Sequence, residues 1–324
     1  MKLLVVYGYG GGDDIRHPLS EEQLDRARAI EPGLKIETVF IEDIKPEMLK
    51  DADIIYGRPD PEMLAEAKSL KWLHLTSAGA DQFMDSKIYY NSDVIVTRTY
   101  SMAPIPISEH MIMMFLSLAH KLGIYVRQQV RGEWQQQEVN HELTDCTVVI
   151  AGYGAIGHKL AEMLQAFNCR VIGVRRNPDL EDPYVDAVYP TERMNEALSQ
   201  ADFVANLLPA SPSTEKFFNA ERFAAMKEGG YFCNAGRGST VDHDALAESI
   251  KNGHLAGAAI DVSPNGHAPL DADSPLWEMP EVIITPHTAG SSIHSVRRAY
   301  ELFLESLATY VAGKPLEGRV ELLK

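Results

Sequence analysis

The chain has 324 residues, 45% of them apolar and 23% charged, with a formal net charge of −16; that length suits two α/β domains better than one. The acidic balance argues against nucleic acid or an anionic membrane as a partner. Cys146, Cys169 and Cys233 are odd in number and widely spaced, against a disulfide framework or a zinc site and for a reducing compartment; with no run near the ~20 apolar residues of a membrane span and an N-terminal Leu3–Val6 run too short for a signal segment, a soluble cytoplasmic enzyme is expected.

Leu3 to Tyr7 reads as an apolar strand, Leu19 to Ile30 as a helix and Lys35 to Phe40 as an alternating strand. A short helix closing at Met48 to Lys50, a buried strand over 53–57 and a helical Met63 to Ser69 follow. Strands over Trp72 to Thr76 and Val94 to Thr97 flank Ser77-Ala78-Gly79-Ala80-Asp81, a turn opening a helix. Such βαβ alternation implies a parallel, doubly wound sheet. After Pro104 and Pro106, Ser108 to about Gln129 predicts one long helix. Met111, Met113, Met114, Phe115 and Leu118 make it apolar almost all round, which marks an interdomain or subunit-interface helix with methionines as core filling. The polar, Gln-rich Gly132 to Asn140 is the expected linker.

From Thr147 the pattern restarts, with strands near Ile150, Ile172 and Val188, then over Val204 to Leu208, Tyr231 to Asn234, Ala258 to Asp261 and Val282 to Thr285. A final helix runs from Ser295 to Val311. The expected fold class is α/β with two doubly wound parallel-sheet domains. A Rossmann dinucleotide-binding domain over 102–291 is inserted into a flavodoxin-like substrate-binding domain built from 1–101 and 292–324, with the substrate cleft expected between them.

The chemistry centres on Gly152-Tyr153-Gly154-Ala155-Ile156-Gly157. The β-branched run Thr147-Val148-Val149-Ile150 leads in, an amphipathic helix with Ile156, Leu160, Ala161, Leu164 and Phe167 on one face follows, and Val171-Ile172-Gly173-Val174 returns. In a dinucleotide site Gly152 makes the tight turn, Gly154 lets backbone approach a pyrophosphate, and Gly157 lets helix and strand pack closely. The helix N-terminus offers N–H groups and the positive dipole end to the phosphates. A merely structural βαβ turn is the alternative, and Gly8-Tyr9-Gly10-Gly11-Gly12 is glycine-rich without this context. At the end of the return strand, where an NAD site usually carries a carboxylate for the ribose 2′-hydroxyl, stand Arg175 and Arg176. Two guanidiniums suit a 2′-phosphate and favour NADP over NAD, the alternative being a solvated surface pair.

Further strands end in Asn206-Leu207-Leu208-Pro209, Asn234-Ala235-Gly236-Arg237-Gly238, Ile260-Asp261 and Thr285-Pro286-His287. The carboxyl edge of an α/β sheet is where ligands bind. Arg237 there can hold a carboxylate and polarise a neighbouring carbonyl, or can simply cap a helix at the surface. His287, in a proline-preceded turn, is the histidine best placed as a general acid near neutral pH.

These ordered motifs, together with Ser274-Pro275-Leu276-Trp277 and Thr288-Ala289-Gly290, resemble the D-isomer-specific 2-hydroxyacid dehydrogenases, in particular the glyoxylate/hydroxypyruvate reductase-like members. The resemblance covers the whole second domain and reaches into the first through Ser77–Asp81. It implies that Arg237 binds the carboxylate and keto oxygen of a small 2-oxo acid, that His287 donates a proton as hydride reaches C2, and that backbone N–H groups of Gly79 and Ala80 hold the carboxylate. Asp261 would meet the nicotinamide amide, the Leu208-Pro209 turn would line the cofactor, and Ala235, Gly236 and Gly290 would complete its site. Arg58 either adds a substrate contact or is a surface residue.

One departure stands out. The family pairs its histidine with a glutamate just after the Asp-Val, whereas Ser263-Pro264-Asn265-Gly266-His267-Ala268-Pro269 is lengthened and carries no carboxylate. Asp271 or Asp273 are the acids left to substitute. Because the step needs His287 protonated, a reduction optimum displaced toward acid is expected. The sequence reading is thus an NADPH-preferring reductase of 2-oxo acids, with NAD also possible; the alternative is a nucleotide-binding regulatory or corepressor-like protein on the same fold. A homodimer is expected from the apolar helix and the resemblance, and Tyr100, Met102 and the Met-rich helix are expected to shape the substrate pocket, either a small or an aromatic-accepting one.

Overall fold

The structure, a computed structural model, describes residues 1–8, 18–77, 79–99, 103–139, 141–179, 181–266, 268–292 and 294–323. Tyr9 to Gly12, Ala78, Tyr100, Met102 and His267 lie outside the described residues. Two compact units form, Met1–Ala103 with Gly290–Lys324, and Pro104–Ala289.

The first unit begins with β1 (Lys2–Tyr7), α1 (Glu21–Ile30), β2 (Lys35–Phe40) and α2 (Pro46–Lys50). It continues through β3 (Ile54–Tyr56), β4 (Trp72–Leu75) and β5 (Ile95–Arg98). α1 starts at Glu21 rather than Leu19 because Ser20 caps it: the Gln23 N–H donates to the Ser20 hydroxyl and the Ser20 N–H to the Gln23 side chain. The expected helix at Met63 is a 3₁₀ turn, Pro61–Glu66, whose buried Leu64 lies three residues before the buried Ala67 that ends it. The strands pair in parallel in the order β2-β1-β3-β4-β5, the flavodoxin-like order. The C-terminal segment lies along the β5 edge, the Val320 N–H donating to the Val96 carbonyl at 2.9 Å.

The second unit opens with α3 (Pro104–Ala119) and α4 (Leu122–Arg131), followed by β6 (Thr147–Ala151), α5 (Ala155–Leu164), β7 (Arg170–Val174), β8 (Ala187–Tyr189) and α6 (Met194–Leu198). β9 (Phe203–Asn206), α7 (Ala220–Ala224), β10 (Gly230–Asn234), α8 (His243–Lys251), β11 (Leu255–Ile260) and β12 (Val282–Ile284) complete it. Its sheet runs β12-β11-β10-β9-β6-β7-β8 with parallel ladders throughout. The chain therefore builds outward from β6 in one direction and restarts at β9 in the other, leaving the topological switch point at the ends of β6 and β9.

One expected element differs. The single long helix is two, broken at Lys121, whose backbone is left-handed at φ 57. Lys121 Nζ there reaches the Tyr231 hydroxyl at 3.1 Å. The helix also starts earlier, at Pro104, because a proline in the first turn forfeits no helical hydrogen bond. Met111, Met114, Phe115 and Leu118 do fill a core, the one they share with β6 and α5, but Met113 is exposed, so α3 is not apolar on every side in its setting.

α9 (Ser295–Val311) returns the chain to the first unit. Phe303 packs its ring 4.5 Å from that of Tyr56 and 5.5 Å from that of Trp72. Beside them His74 is buried and fully wired. Trp72 Nε1 donates to the Thr97 hydroxyl at 2.8 Å, and that hydroxyl lies 2.9 Å from His74 Nδ1, while the Thr99 hydroxyl spends its proton on the Leu75 carbonyl at 2.8 Å. His74 Nε2 then donates to the Thr99 hydroxyl at 3.2 Å. Burial pushes its pKa down to about 3, so the ring is neutral and Nδ1 accepts from the Thr97 hydroxyl. The unfolded chain takes up this proton below about pH 6.5, whereas the folded chain holds it off until about 3. Stability should therefore fall as pH drops through that window, by at most about 1.4 kcal/mol per pH unit from this group. Thermal unfolding followed from neutral to acid pH should be flatter in His74→Gln; equal slopes in the two proteins would remove His74 as a cause.

Candidate active site

The carboxyl ends of the second sheet carry the expected site residues in spatial order. Arg175 follows β7, the glycine turn follows β6, Leu208 and Pro209 follow β9, Arg237 follows β10, Asp261 follows β11, and His287 follows β12.

At the switch point, backbones approach to a distance that excludes side chains. Gly152 has φ +89, and a Cβ there would lie 2.8 Å from the Leu207 carbonyl group. A Cβ on Gly236 would lie 2.7 Å from the Leu208 carbonyl oxygen. The turns after β6, β9 and β10 are thus pressed together as bare backbone. A Cβ on Gly154, by contrast, meets nothing within 4 Å. Gly154 is the N-cap of α5, and no side chain among the described residues caps it. Open space over a helix end with unspent N–H groups fits a pyrophosphate, as the nicotinamide dinucleotide of this fold requires.

Two buried asparagines shape the turns at the middle of the edge. Asn206 Nδ2 donates to Asn234 Oδ1 at 3.0 Å and to the Thr240 hydroxyl at 2.7 Å, while Asn206 Oδ1 accepts the Leu208 N–H at 3.1 Å. Asn234 Oδ1 accepts the Gly236 N–H at 3.1 Å, and the Thr240 hydroxyl donates to the Arg237 carbonyl at 2.6 Å. Arg237 Nη1 donates to the Gly236 carbonyl at 2.9 Å. Sequence reasoning treated these asparagines as strand ends only. The signal was available: amides closing apolar strands have to find partners inside.

Toward the other edge, the Gly152 and Tyr153 N–H groups both donate to the Val174 carbonyl, at 3.0 and 2.9 Å, which draws the glycine turn to the residue before Arg175. Arg175 is half-buried and Arg176 exposed. The strand end carries no carboxylate, yet tertiary structure brings one in. Asp182 accepts the Tyr153 hydroxyl at 2.8 Å, His158 Nδ1 at 2.6 Å and the Tyr184 N–H at 3.0 Å. Burial acts to raise its pKa, but these hydrogen bonds, that of His158 foremost, outweigh it and hold the carboxyl below the usual range.

Asp261 is 2% exposed. Its Oδ1 accepts the Thr285 hydroxyl at 2.6 Å and the Thr288 N–H at 2.9 Å, and its Oδ2 accepts the Ala289 N–H at 2.9 Å. The carboxylate expected to meet a nicotinamide amide is thus largely occupied in shaping the His287 turn. Its backbone joins both neighbours: the Asp261 N–H donates to the Asn234 carbonyl at 2.9 Å, and the His287 N–H to the Asp261 carbonyl at 2.8 Å. The loop that follows packs on the arginine turn, since a Cβ on Gly238 would lie 2.1 Å from the Ser263 carbonyl. Of the acids considered as substitutes for a glutamate, Asp271 accepts Asn265 Nδ2 at 3.1 Å, and Asp273 is exposed.

In the first unit Arg58 is 6% exposed, which corrects the surface reading. It donates to the Ser77 hydroxyl, to the Gly79 carbonyl at 3.2 Å and to Gln82 Oε1 at 3.4 Å, and lies over the Phe83 ring. Arg58, Gly79 and the buried Ala80 are therefore brought together around one turn. Gly290 begins the return of the chain to this unit.

A seven-stranded doubly wound sheet with this glycine turn at its switch point defines the dinucleotide-binding α/β domains. The profile of the D-isomer specific 2-hydroxyacid dehydrogenase NAD-binding domain matches residues 112–289. A putative 2-hydroxyacid dehydrogenase of Haemophilus influenzae is 29% identical over 282 residues, covering 82% of this chain and 86% of that protein. The crystal structure of a D-isomer specific 2-hydroxyacid dehydrogenase family protein from Aeromonas salmonicida superposes with a TM-score of 0.82 at 29% identity, covering 98% of each chain. That of an NADPH-dependent glyoxylate/hydroxypyruvate reductase from Sinorhizobium meliloti, in complex with NADP and sulfate, gives 0.79 at 27% identity, covering 99% of this chain and 98% of that one. The chain belongs to the D-isomer specific 2-hydroxyacid dehydrogenase family, and with it to the NAD(P)-dependent dehydrogenases. Among the described residues no helix is long and apolar enough to cross a membrane.

Two glycine substitutions separate fold from cofactor cradle. Gly152→Ala should lower thermal stability and weaken NADPH binding about tenfold or more, since backbone strain of ~1–3 kcal/mol falls on the turn itself. Gly154→Ala should keep its melting temperature and lose NADPH affinity in fluorescence titration. Unchanged affinity in Gly154→Ala would show that the pyrophosphate does not approach there.

Proposed function

We propose that this protein reduces small 2-oxo acids to D-2-hydroxy acids, with NADPH preferred over NADH. The observation that carries the reading is the backbone chain Asn234–Asp261–His287, which sets the Arg237 turn and the His287 turn on either side of one residue. A guanidinium and an imidazole so placed at a sheet's carboxyl edge suit a substrate that presents a carboxylate beside a carbonyl. Arg237 anchors the carboxylate and polarises the keto oxygen, and His287 delivers the proton to that oxygen. The bound nicotinamide supplies the hydride. The Gly79 and Ala80 backbone, braced by Arg58, adds hydrogen bonds to the substrate carboxylate. Residues 1–101 and 292–324 thus act as the substrate-binding part and 102–291 as the dinucleotide-binding part.

The preference for NADPH rests on Arg175 and Arg176 beside the glycine turn, while Asp182, the nearby carboxylate, is taken up by Tyr153 and His158. The protein acts in the cytoplasm as a homodimer, a reading supported by the exposed Leu122, Val126 and Val130, four residues apart on α4, with Trp134 just beyond.

A panel of 2-oxo acids, including glyoxylate and phenylpyruvate, run with NADPH and with NADH tests the whole reading. NADPH absorbance should fall with at least one of them, and NADH should serve less well. Arg175→Ala/Arg176→Ala should narrow that preference by about tenfold or more, the worth of one or two charge-assisted hydrogen bonds. A clear win for NADH in the unaltered protein sinks the cofactor assignment. Arg237→Ala should raise the KM for the 2-oxo acid and lower kcat by on the order of 100-fold or more. For reduction, kcat/KM should decline as pH rises, since the step takes up a proton, and His287→Gln should lose that decline; an unchanged slope in the variant would count against His287 in this role.

A further inference from the structure

The His287 turn is anchored from a direction that sequence reasoning did not consider. His110, on α3, places Nε2 3.1 Å from the Thr285 hydroxyl and 3.6 Å from Asp261 Oδ1. The Thr285 hydroxyl spends its proton on Asp261 Oδ1 at 2.6 Å, so its oxygen has only acceptor capacity left. His110 Nε2 therefore carries a hydrogen and donates it. Burial holds the His110 pKa below its usual value against the opposing charge of Asp261, so the ring is the neutral Nε2–H tautomer. What this chain of groups holds is a costly conformation. His287 has φ 53, a left-handed backbone that a side-chain-bearing residue adopts against about 1 kcal/mol. The turn is kept there by four bonds to Asp261, from the Thr285 hydroxyl and from the His287, Thr288 and Ala289 N–H groups.

We propose that His110 is a positioning residue for His287: through Thr285 it orients the Asp261 carboxylate, and that carboxylate fixes the left-handed turn that aims the imidazole. The inference rests on the reading of His287 as proton donor and extends it by one layer. In a site whose loop after Asp261 carries no glutamate, the backbone that aims the imidazole is then held in place from α3, by His110.

Thr285→Val removes the relaying hydroxyl at nearly constant shape, and Thr285→Ser restores it. His110→Leu and His110→Gln form the matching pair, since a glutamine amide can donate where Nε2 does. In ¹⁵N-histidine NMR of the protein without substrate, the His287 ring signals, assigned by their loss in His287→Gln, should shift in Thr285→Val and His110→Leu. They should return in Thr285→Ser and His110→Gln. With NADPH and the best 2-oxo acid, the two disruptive variants should lose on the order of 10- to 100-fold in kcat, with NADPH affinity and substrate KM held within about twofold. Unmoved His287 signals in Thr285→Val overturn the proposal whatever the activity, as does a kcat loss that Thr285→Ser fails to rescue. Signals that shift and are rescued in a protein that turns over no 2-oxo acid support the positioning and sink the proton-donor reading instead. If Thr285→Val does not fold, the His110 pair decides on the same readouts.

Discussion

A carboxylate taken out of water has to be surrounded by donors, and at the end of β11 that requirement organises the site. Asp261 collects one hydroxyl and two backbone N–H groups from the segment after β12, and its own backbone bonds both to that segment and to β10. Leaving such a group short of donors costs several kcal/mol, so the turn that carries His287 has little freedom to relax. The strained φ of His287 persists because the surrounding bonds over-determine it. His110 extends the same logic one layer outward, from the turn into α3.

The dinucleotide edge obeys a complementary rule. Around Asp261 polar groups are gathered in, whereas around Gly152 and Gly236 atoms are left out. Three turns meet as bare backbone, and the amide side chains of Asn206 and Asn234 cross-link two of them from below. The glycine turn takes its position from Val174, the last residue of β7, so the two arginines that follow are tied to the turn they would assist. Asp182, reaching in from the next loop, is claimed by Tyr153 and His158.

The repeat of apolar strands and amphipathic helices was legible in the sequence because parallel strands covered on both faces must be apolar throughout. The return helix was legible to the residue, Ser295 to Val311. The broken helix was not, because periodicity continues across Lys121 and only the contact with Tyr231, far along the chain, shows where the axis breaks. Arg58 was left open between a substrate contact and a surface residue for a related reason. An arginine beyond a strand looks like a surface residue until Ser77, Gly79 and Gln82 are folded around it.

Local sequence therefore determined the two doubly wound units, the glycine turn with its open Gly154, and the order of chemical groups along the carboxyl edge. Each of these follows from short-range pattern and from connection rules that leave few topologies. Tertiary structure alone decided which polar groups are partners: Asn206 with Asn234 and Thr240, Asp182 with Tyr153 and His158, and His110 with Thr285 and Asp261. Partners separated by tens to more than a hundred residues leave no periodic trace, and burial makes each of them satisfy its hydrogen bonds with whatever the fold has carried alongside.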